Sequence, residues 1–333
     1  MSAPQREIRV LVPFRLGRST TNPYLTQLYA SLPEGTSVLS FSWRTALLGR
    51  YDVFHTHWPE ILLRGTSPVK TGLRRALALA LLLRMRLTRV AIVRTLHNTG
   101  AHESGSRIEN AILDLFWRST AAFVRLNART PAPADRPVET ITHGHYRDWF
   151  ADHPRRSPQP GRLAYFGLIR PYKNVPELVA AFRGAAVDGR TLLVMGKPSD
   201  AATEKAVTDS VAGDDRVTLM LSYVDDATLT SELTGAELVV LPYADMHNSG
   251  AALLALSLGR AVLVPDNDVT RDLAAEVGDT WVRRFASPLT PEVLADAVHD
   301  LPSDDARPDL SAREWEPIGR AHRDLYERTL GRR

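Results

Sequence analysis

Two kinds of residue in this chain could do chemistry. The first is cationic. Gly167 and Lys173, with Arg170 between them, separate an apolar run at 163–166 from a helical pattern that begins at Val175. A guanidinium fork and a compact ammonium beside a helix start can together neutralise a diphosphate. The stretch 238–266 reads as strand, loop, helix, strand, and Asn248, Ser249, Gly250 and Ala251 fall where that helix opens. Ser249 can cap the helix, and Gly250 lets an oxyanion approach the backbone. The free N–H groups and positive dipole end there can hold a phosphate. On these residues alone an ordinary capped core helix remains the competing reading. The second kind is imidazole. Seven of the ten histidines lie between 55 and 153, and His55, His57, His97, His143 and His145 fall at or just past the ends of expected strands. In an open parallel sheet that edge is where ligands bind.

The elements that must position these residues follow an α/β pattern. Apolar runs at 8–13, 37–41, 52–57, 89–95, 121–126 and 138–142 read as buried parallel strands, with helices from 23, over 69–89 and over 107–119. A second series begins after 153–161, a Pro- and charge-rich segment that reads as a linker. It has strands at 163–166, 191–195, 216–221, 238–241, 261–265 and 280–283. Its helices are expected at 175–183, 200–212, 225–234, 249–258 and 291–300, and a last helix at 311–330 closes the chain. At 333 residues two domains are expected. They are an N-terminal one over 1–153 and a C-terminal one over 162–310, with 311–333 as a final helix.

Composition narrows the function classes. A net charge of +3 gives no nucleic-acid footprint, and the absence of cysteine excludes disulfide and thiol chemistry. Neither a signal peptide nor a run of transmembrane length is read, so a cytoplasmic protein is expected. The helix over 69–89 carries Lys70, Arg74, Arg75, Arg84, Arg86 and Arg89 and no acidic residue. It reads either as a core helix with solvated basic ends or as a peripheral contact with the inner face of a membrane.

A family resemblance rests on a series of motifs in the second half. They are Tyr165-Phe166-Gly167-Leu168-Ile169-Arg170-Pro171-Tyr172-Lys173-Asn174 and Val194-Met195-Gly196. Then come Val217 with Tyr223-Val224-Asp225-Asp226 and Leu229, Ala236 to Pro242, and Gly250 through Gly259-Arg260-Ala261-Val262. In order and spacing this stretch resembles the donor domain of GT-B glycosyltransferases, in particular their group 1, family 4-like branch. The resemblance implies two Rossmann-like, doubly wound domains facing a cleft, with the last helix crossing back to the first domain. It implies a sugar transfer, hexosyl by expectation, from a UDP- or GDP-linked donor to a glycan or lipid-linked acceptor in cell-surface polysaccharide or glycoconjugate synthesis.

The same resemblance assigns roles. Lys173, Asn248, Ser249, Gly250 and Ala251 would hold the donor diphosphate, with Arg170 as substitute for the family's arginine, which directly follows the glycine where this chain has Leu168; Gly167, Gly196, Lys197, Tyr223 and Val224 would line the nucleotide. His97 matches the family's histidine near the transferred sugar. An inverting enzyme also needs a base on the acceptor hydroxyl. The first-domain candidates are Glu60, His57, His97 and Glu103, and Asn98, His102, His143 and His145 are placed on the acceptor side. No metal is expected to be required. One departure is plain: the branch's two glutamates, eight positions apart, fall on Met246 and Leu254. An apolar Leu254 cannot accept a hydroxyl hydrogen bond. Asn248, Asp245 or backbone groups would have to take over, and retention or inversion is left open. Three rivals stand beside the transferase. They are a metal hydrolase using His55, His57, His97 and His102, a GT-B-fold nucleotide-sugar epimerase, and a non-catalytic partner that binds sugar nucleotides.

Overall fold

The structure is a computed structural model, and it describes residues 7–15, 22–97, 105–185, 189–244 and 246–332. The chain forms two compact units, Met1–Gly144 with Arg313–Arg333, and His145–Ala312.

In the first unit the elements run β1 (Ile8–Leu11), α1 (Pro23–Ala30), β2 (Thr36–Leu39), α2 (Trp43–Leu48), β3 (Val53–Thr56), α3 (Pro68–Leu87), β4 (Ala91–Leu96), α4 (Arg107–Ser119), β5 (Ala122–Arg125) and β6 (Val138–Thr140). The strands pair in parallel in the order β2-β1-β3-β4-β5-β6. Side chains alternate across a strand, so each strand feeds both faces of the sheet. Phe54 turns to one face and packs into a core with Leu81, Met85, Ile112 and Phe116 of α3 and α4. His55 turns to the other face, and His57 shares that side.

In the second unit come β7 (Arg162–Phe166), α5 (Val175–Gly184), β8 (Thr191–Met195), α6 (Ala201–Val211), β9 (Val217–Met220), α7 (Asp226–Thr234), β10 (Leu238–Val240), α8 (Gly250–Ser257), β11 (Ala261–Pro265), α9 (Asp268–Val277), β12 (Val282–Phe285) and α10 (Pro291–Asp296). This sheet is also parallel, ordered β12-β11-β10-β7-β8-β9. The strand order therefore reverses between β7 and β10, and in the first sheet between β1 and β3. Such switch points open a crevice at the C-terminal edge.

The last helix, α11 (Trp315–Gly331), belongs to the first unit. It buries Trp315, Ile318, Gly319, His322, Arg323, Leu325, Tyr326 and Thr329, the stripe of an amphipathic helix. Arg323 is almost wholly buried yet satisfied, donating to Thr36 Oγ1 at 2.7 Å and pairing with Glu327 at 2.9 Å.

Three expectations change. The units divide at Gly144/His145, nine residues before the end expected for the first domain at 153. The cause is packing: the Tyr146 N–H donates to Ser257 Oγ at 2.9 Å and Trp149 Nε1 to Asp226 at 2.9 Å. The linker segment likewise joins the second unit, where Gln159 N–H donates to the Gly235 carbonyl. Helices α2 and α9 were not expected. Helix α9 has a full capping box between Asn267 and Thr270. The expected 69–89 helix spans Pro68–Leu87 and stops before Arg89, which adopts a left-handed φ of 55°.

Helix α11 also makes a prediction. A Cβ on Gly319 would lie 1.9 Å from the Ser31 carbonyl oxygen at the end of α1. Gly319→Ala should destabilise the first unit by about 1–3 kcal/mol, the cost of overpacking. Thermal unfolding checks this, and an unchanged melting temperature would contradict the close docking of α11 on α1.

Candidate active site

The second unit gathers cations at its switch point. After β7, Gly167 takes a φ of +112° and a Cβ there would meet Lys173 Nζ at 3.5 Å. After β8, Gly196 takes a φ of +145°, and a Cβ there would lie 1.9 Å from the Gly167 carbonyl oxygen. Only glycine lets these two loops run this close. Backbone bonds join them further: Gly167 N–H donates to Met195 O and Ile169 N–H to Lys197 O, both at 3.0 Å. The loop after β10 is tied in by Ala244 N–H to Tyr172 O at 2.9 Å.

Lys173 sits in this knot with its ammonium 4.8 Å from the centre of the Tyr243 ring. Burial, and then the neighbouring Arg170 charge, pull its pKa down to about 8. Among the described residues neither Lys173 nor Arg170 has a carboxylate partner. Among the described residues the buried hydroxyls of Tyr243 and Tyr165 also have no hydrogen-bond partner. Helix α8 opens beside β10. Its Ser249 caps it, accepting from Ala252 N–H at 3.1 Å, and no acidic residue occupies its first turn. Gly250, Ala251 and Leu254 are the positions of α8 that remain part-exposed, and they share one side. Asn248 stands next to the cap, while Met246 is buried and its carbonyl accepts from Asn267 at 2.9 Å. Lys197 and Tyr223 are exposed at the same edge of the sheet, and Val224 is half-buried beside Tyr223. Asp245 lies outside the described residues.

The first unit gathers imidazoles. His55 Nδ1 bonds Tyr326 Oη at 2.8 Å and Tyr29 Oη at 3.2 Å, and its Nε2 bonds Thr95 Oγ1 at 2.9 Å. Tyr29 Oη also bonds His57 Nε2 at 2.9 Å, and His57 Nδ1 bonds His97 Nε2 at 2.8 Å. His97 stacks on Trp58 with ring centres 4.3 Å apart. Tyr24 lies 4.2 Å from His143 and edge-on to His97 at 5.7 Å. Each neutral imidazole has one N–H and one lone pair, and Tyr29 has one proton to give. The direction of one bond therefore sets the next along Tyr29, His57 and His97.

Burial keeps these rings neutral. It holds the His97 pKa at about 3, with His143 adding to the effect. It holds His143 and His322 at about 4, and depresses His55 and His57 as well. His143 Nδ1–H donates to the Gly144 carbonyl and His322 Nδ1–H to Ile318, each a local lock. Glu60 sits half-buried in a short helical turn, Pro59–Leu62, with its charge acting on Arg94 of β4. His145, expected on the acceptor side of the first domain, belongs instead to the second unit, for the packing reason given above. Asn98, His102 and Glu103 lie outside the described residues. No group of three or more His, Asp or Glu among the described residues is arranged to hold a metal. Tyr29, His322, Tyr326 and Tyr243 were not singled out from the sequence. The i, i+4 pair His322 and Tyr326 on the buried face of α11 was the available signal.

No protein-family profile matches the chain. A GDP-mannose:glycolipid 4-beta-D-mannosyltransferase of Xanthomonas campestris pv. campestris is 43% identical over 336 aligned positions, covering 99% of this chain and 95% of that protein. The chain belongs to the GT-B glycosyltransferases. Solved structures share the fold of this GT-B enzyme at low identity. Anabaena HepE in complex with UDP-glucose superposes with a TM-score of 0.64 at 13% identity, covering 98% of this chain and all of that one. AviGT4, a glycosyltransferase involved in avilamycin A biosynthesis, gives 0.61 at 14% identity, covering 98% and 99%. The enzyme is a hexosyltransferase, which sets aside the hydrolase, epimerase and non-catalytic readings.

Neutral buried histidines make stability depend on pH with a definite sign. Their folded pKa values lie below the usual 6.5, so the unfolded chain takes up protons first as pH falls. Stability of this glycosyltransferase should hold above about pH 7 and fall by a few kcal/mol between about pH 6.5 and 5, above the range where carboxylates titrate. Denaturant unfolding at stepped pH measures it. A flat profile over that window would contradict a neutral cluster.

Proposed function

We propose that the enzyme transfers mannose from GDP-mannose to a lipid-linked glycan and forms a β-linkage with inversion. The observation that carries the donor half is the pair Lys173 and Arg170, two cations without a carboxylate partner among the described residues, beside the acid-free start of α8. An uncompensated, half-buried ammonium is costly, and a diphosphate would relieve that cost. In this reading Arg170, Lys173 and the N–H groups at Ser249, Gly250 and Ala251 stabilise the charge that develops on leaving GDP. The buried Tyr243 hydroxyl gives that anion a further donor. Gly167, Gly196, Lys197, Tyr223 and Val224 form the nucleotide side, and Asn248 replaces the polar function missing at Leu254. No metal is invoked, because fixed cations and the helix start supply the charge.

The relative's name supports the sugar, the base and the stereochemistry. A β-mannoside made from the α-linked GDP-mannose requires inversion and hence a base. His97 is a poor base at a pKa of about 3, since a catalytic base works best with a pKa near the working pH. We therefore assign the base to Glu60. His97, oriented by His57, contacts the transferred sugar, and His143 lies on the acceptor side. In this reading the enzyme works at a membrane surface, from the cytoplasmic face. We take helix α3 as the contact, because it carries Lys70, Arg74, Arg75, Arg84 and Arg86 and no acidic residue.

Calorimetry with GDP and UDP tests the donor site. GDP should bind more tightly, and Lys173→Ala or Arg170→Ala should each weaken it by about 1.5–3 kcal/mol, the worth of a charged hydrogen bond. Unchanged affinity in both variants would overturn the site. Glu60→Gln and His97→Ala should each cut transfer by at least about 100-fold, the lower range for a general base, while GDP affinity stays the same. Transfer that survives Glu60→Gln intact would remove the base assignment.

A further inference from the structure

Two tyrosines from different helices meet one ring nitrogen in the first unit. Tyr326 of α11 and Tyr29 of α1 lie 2.8 and 3.2 Å from His55 Nδ1. Thr95 Oγ1 of β4 occupies the other side of that ring, 2.9 Å from Nε2. From Tyr29 the contacts run on to His57 Nε2 at 2.9 Å, and from His57 Nδ1 to His97 Nε2 at 2.8 Å. Tyr29, His55, His57, Thr95 and Tyr326 are all buried. Among the described residues Tyr326 Oη bonds only His55, and Tyr29 Oη bonds only His55 and His57.

Proton counting gives this series a direction. A neutral imidazole has one N–H and one lone pair, and a phenol has one proton. His55 has two neutral tautomers. In the first, Nδ1 is the lone pair; Tyr326 donates to it, and Nε2–H donates to Thr95. In the second, Nδ1 carries the proton and donates to Tyr326, while Thr95 donates to Nε2. In neither can His55 accept from Tyr29. An arrangement in which it did would leave the Tyr326 hydroxyl without a bond, which is costly for a buried polar group. The Tyr29 proton therefore goes to His57 Nε2. His57 keeps its own proton on Nδ1 and donates it to His97 Nε2. His97 then carries its proton on Nδ1. His322, the other histidine beside His55, leaves this count unchanged, because its Nδ1–H donates to the Ile318 carbonyl at 2.8 Å.

We propose that Tyr326 is a positioning residue for sugar transfer: its hydroxyl, acting through Tyr29 and His57, holds His97 in the Nδ1–H tautomer, as a hydrogen-bond donor. The proposal rests on the reading of His97 as the residue that contacts the transferred sugar, and it states what His97 offers there. An N–H can donate to a sugar oxygen but cannot take the proton of an acceptor hydroxyl, which leaves that task to another group. Without the Tyr326 hydroxyl the lone pair of His55 Nδ1 is open to Tyr29. The series can then run backwards: Tyr29 donates to His55, His57 Nε2–H to Tyr29, and His97 Nε2–H to His57. His97 Nδ1 becomes an acceptor.

Carbon-13 NMR of the ring Cδ2 in histidine-labelled full-length protein tests this without any substrate, because that shift separates the two neutral tautomers. The His97 signal is assigned by its loss in His97→Ala. In mildly alkaline buffer the unsubstituted protein should show His97 as the Nδ1–H form, and Tyr326→Phe should move it toward the Nε2–H form. Thr95→Val removes a bond to the same His55 ring but leaves Tyr326 in place, so His97 should not move. An Nε2–H form in the unsubstituted protein would overturn the proposal. So would an unmoved His97 in Tyr326→Phe, or an equal shift in Thr95→Val. Tyr326→Phe should also lower kcat by about tenfold, the worth of one hydrogen bond, with GDP affinity unchanged. A kcat that stays the same in Tyr326→Phe while His97→Ala abolishes transfer would remove the positioning role. Transfer that survives His97→Ala would instead defeat the sugar-side reading of His97, so the two failures are told apart.

Discussion

A half-buried lysine with another cation beside it, and no carboxylate to answer it among the described residues, is the constraint on which the second unit depends. Much of the local structure maintains it. Gly167 supplies the positive φ of the turn beside the ammonium, and Gly196 lets the loops after β7 and β8 run nearly in contact. The bond from Ala244 to Tyr172 brings the loop after β10 against the same turn, and with it the Tyr243 ring. The ring face offers a weak substitute for a counter-ion. Under the proposed function a donor diphosphate would offset the remaining cost. Strand order supplies the location, because β7 and β10 flank the point where the sheet reverses direction.

The first unit solves a different problem. It carries histidines on a sheet face that is covered by helices, where a charge would be expensive. Neutral rings linked through tyrosine and threonine hydroxyls meet that constraint. Helix α11 is part of the solution, since Tyr326 bonds His55 and His322 packs beside it. The chain's last element therefore completes the polar interior of its first sheet. Proton positions along Tyr29, His57 and His97 are coupled, so the face that His97 offers is decided several residues away.

Much of this was legible in the sequence where the information is local. Buried strands appear as short apolar runs, and the strand ends pick out His57, His97 and Gly167 directly. Ser249 reads as a cap because capping depends on a residue and its next three neighbours. The resemblance to GT-B enzymes likewise rests on one contiguous stretch. What was not legible is long-range. The partners of His55 and His57 lie 26 to 271 positions away, and no period announces them. The division at Gly144/His145 was hidden because the proline-rich segment after His153 looks more like a linker than the residues that actually change units. Helix α9 is the exception: Asn267 and Thr270 were a readable local signal that was passed over.

The most direct test of the central claim is the titration of Lys173 itself, followed by NMR of the side-chain methylene carbon next to the ammonium. The free protein should show a pKa of about 8, well below an ordinary lysine, and saturating GDP should raise it by a unit or more. A Lys173 that titrates near 10.4 in the free protein and does not move with GDP would contradict the account.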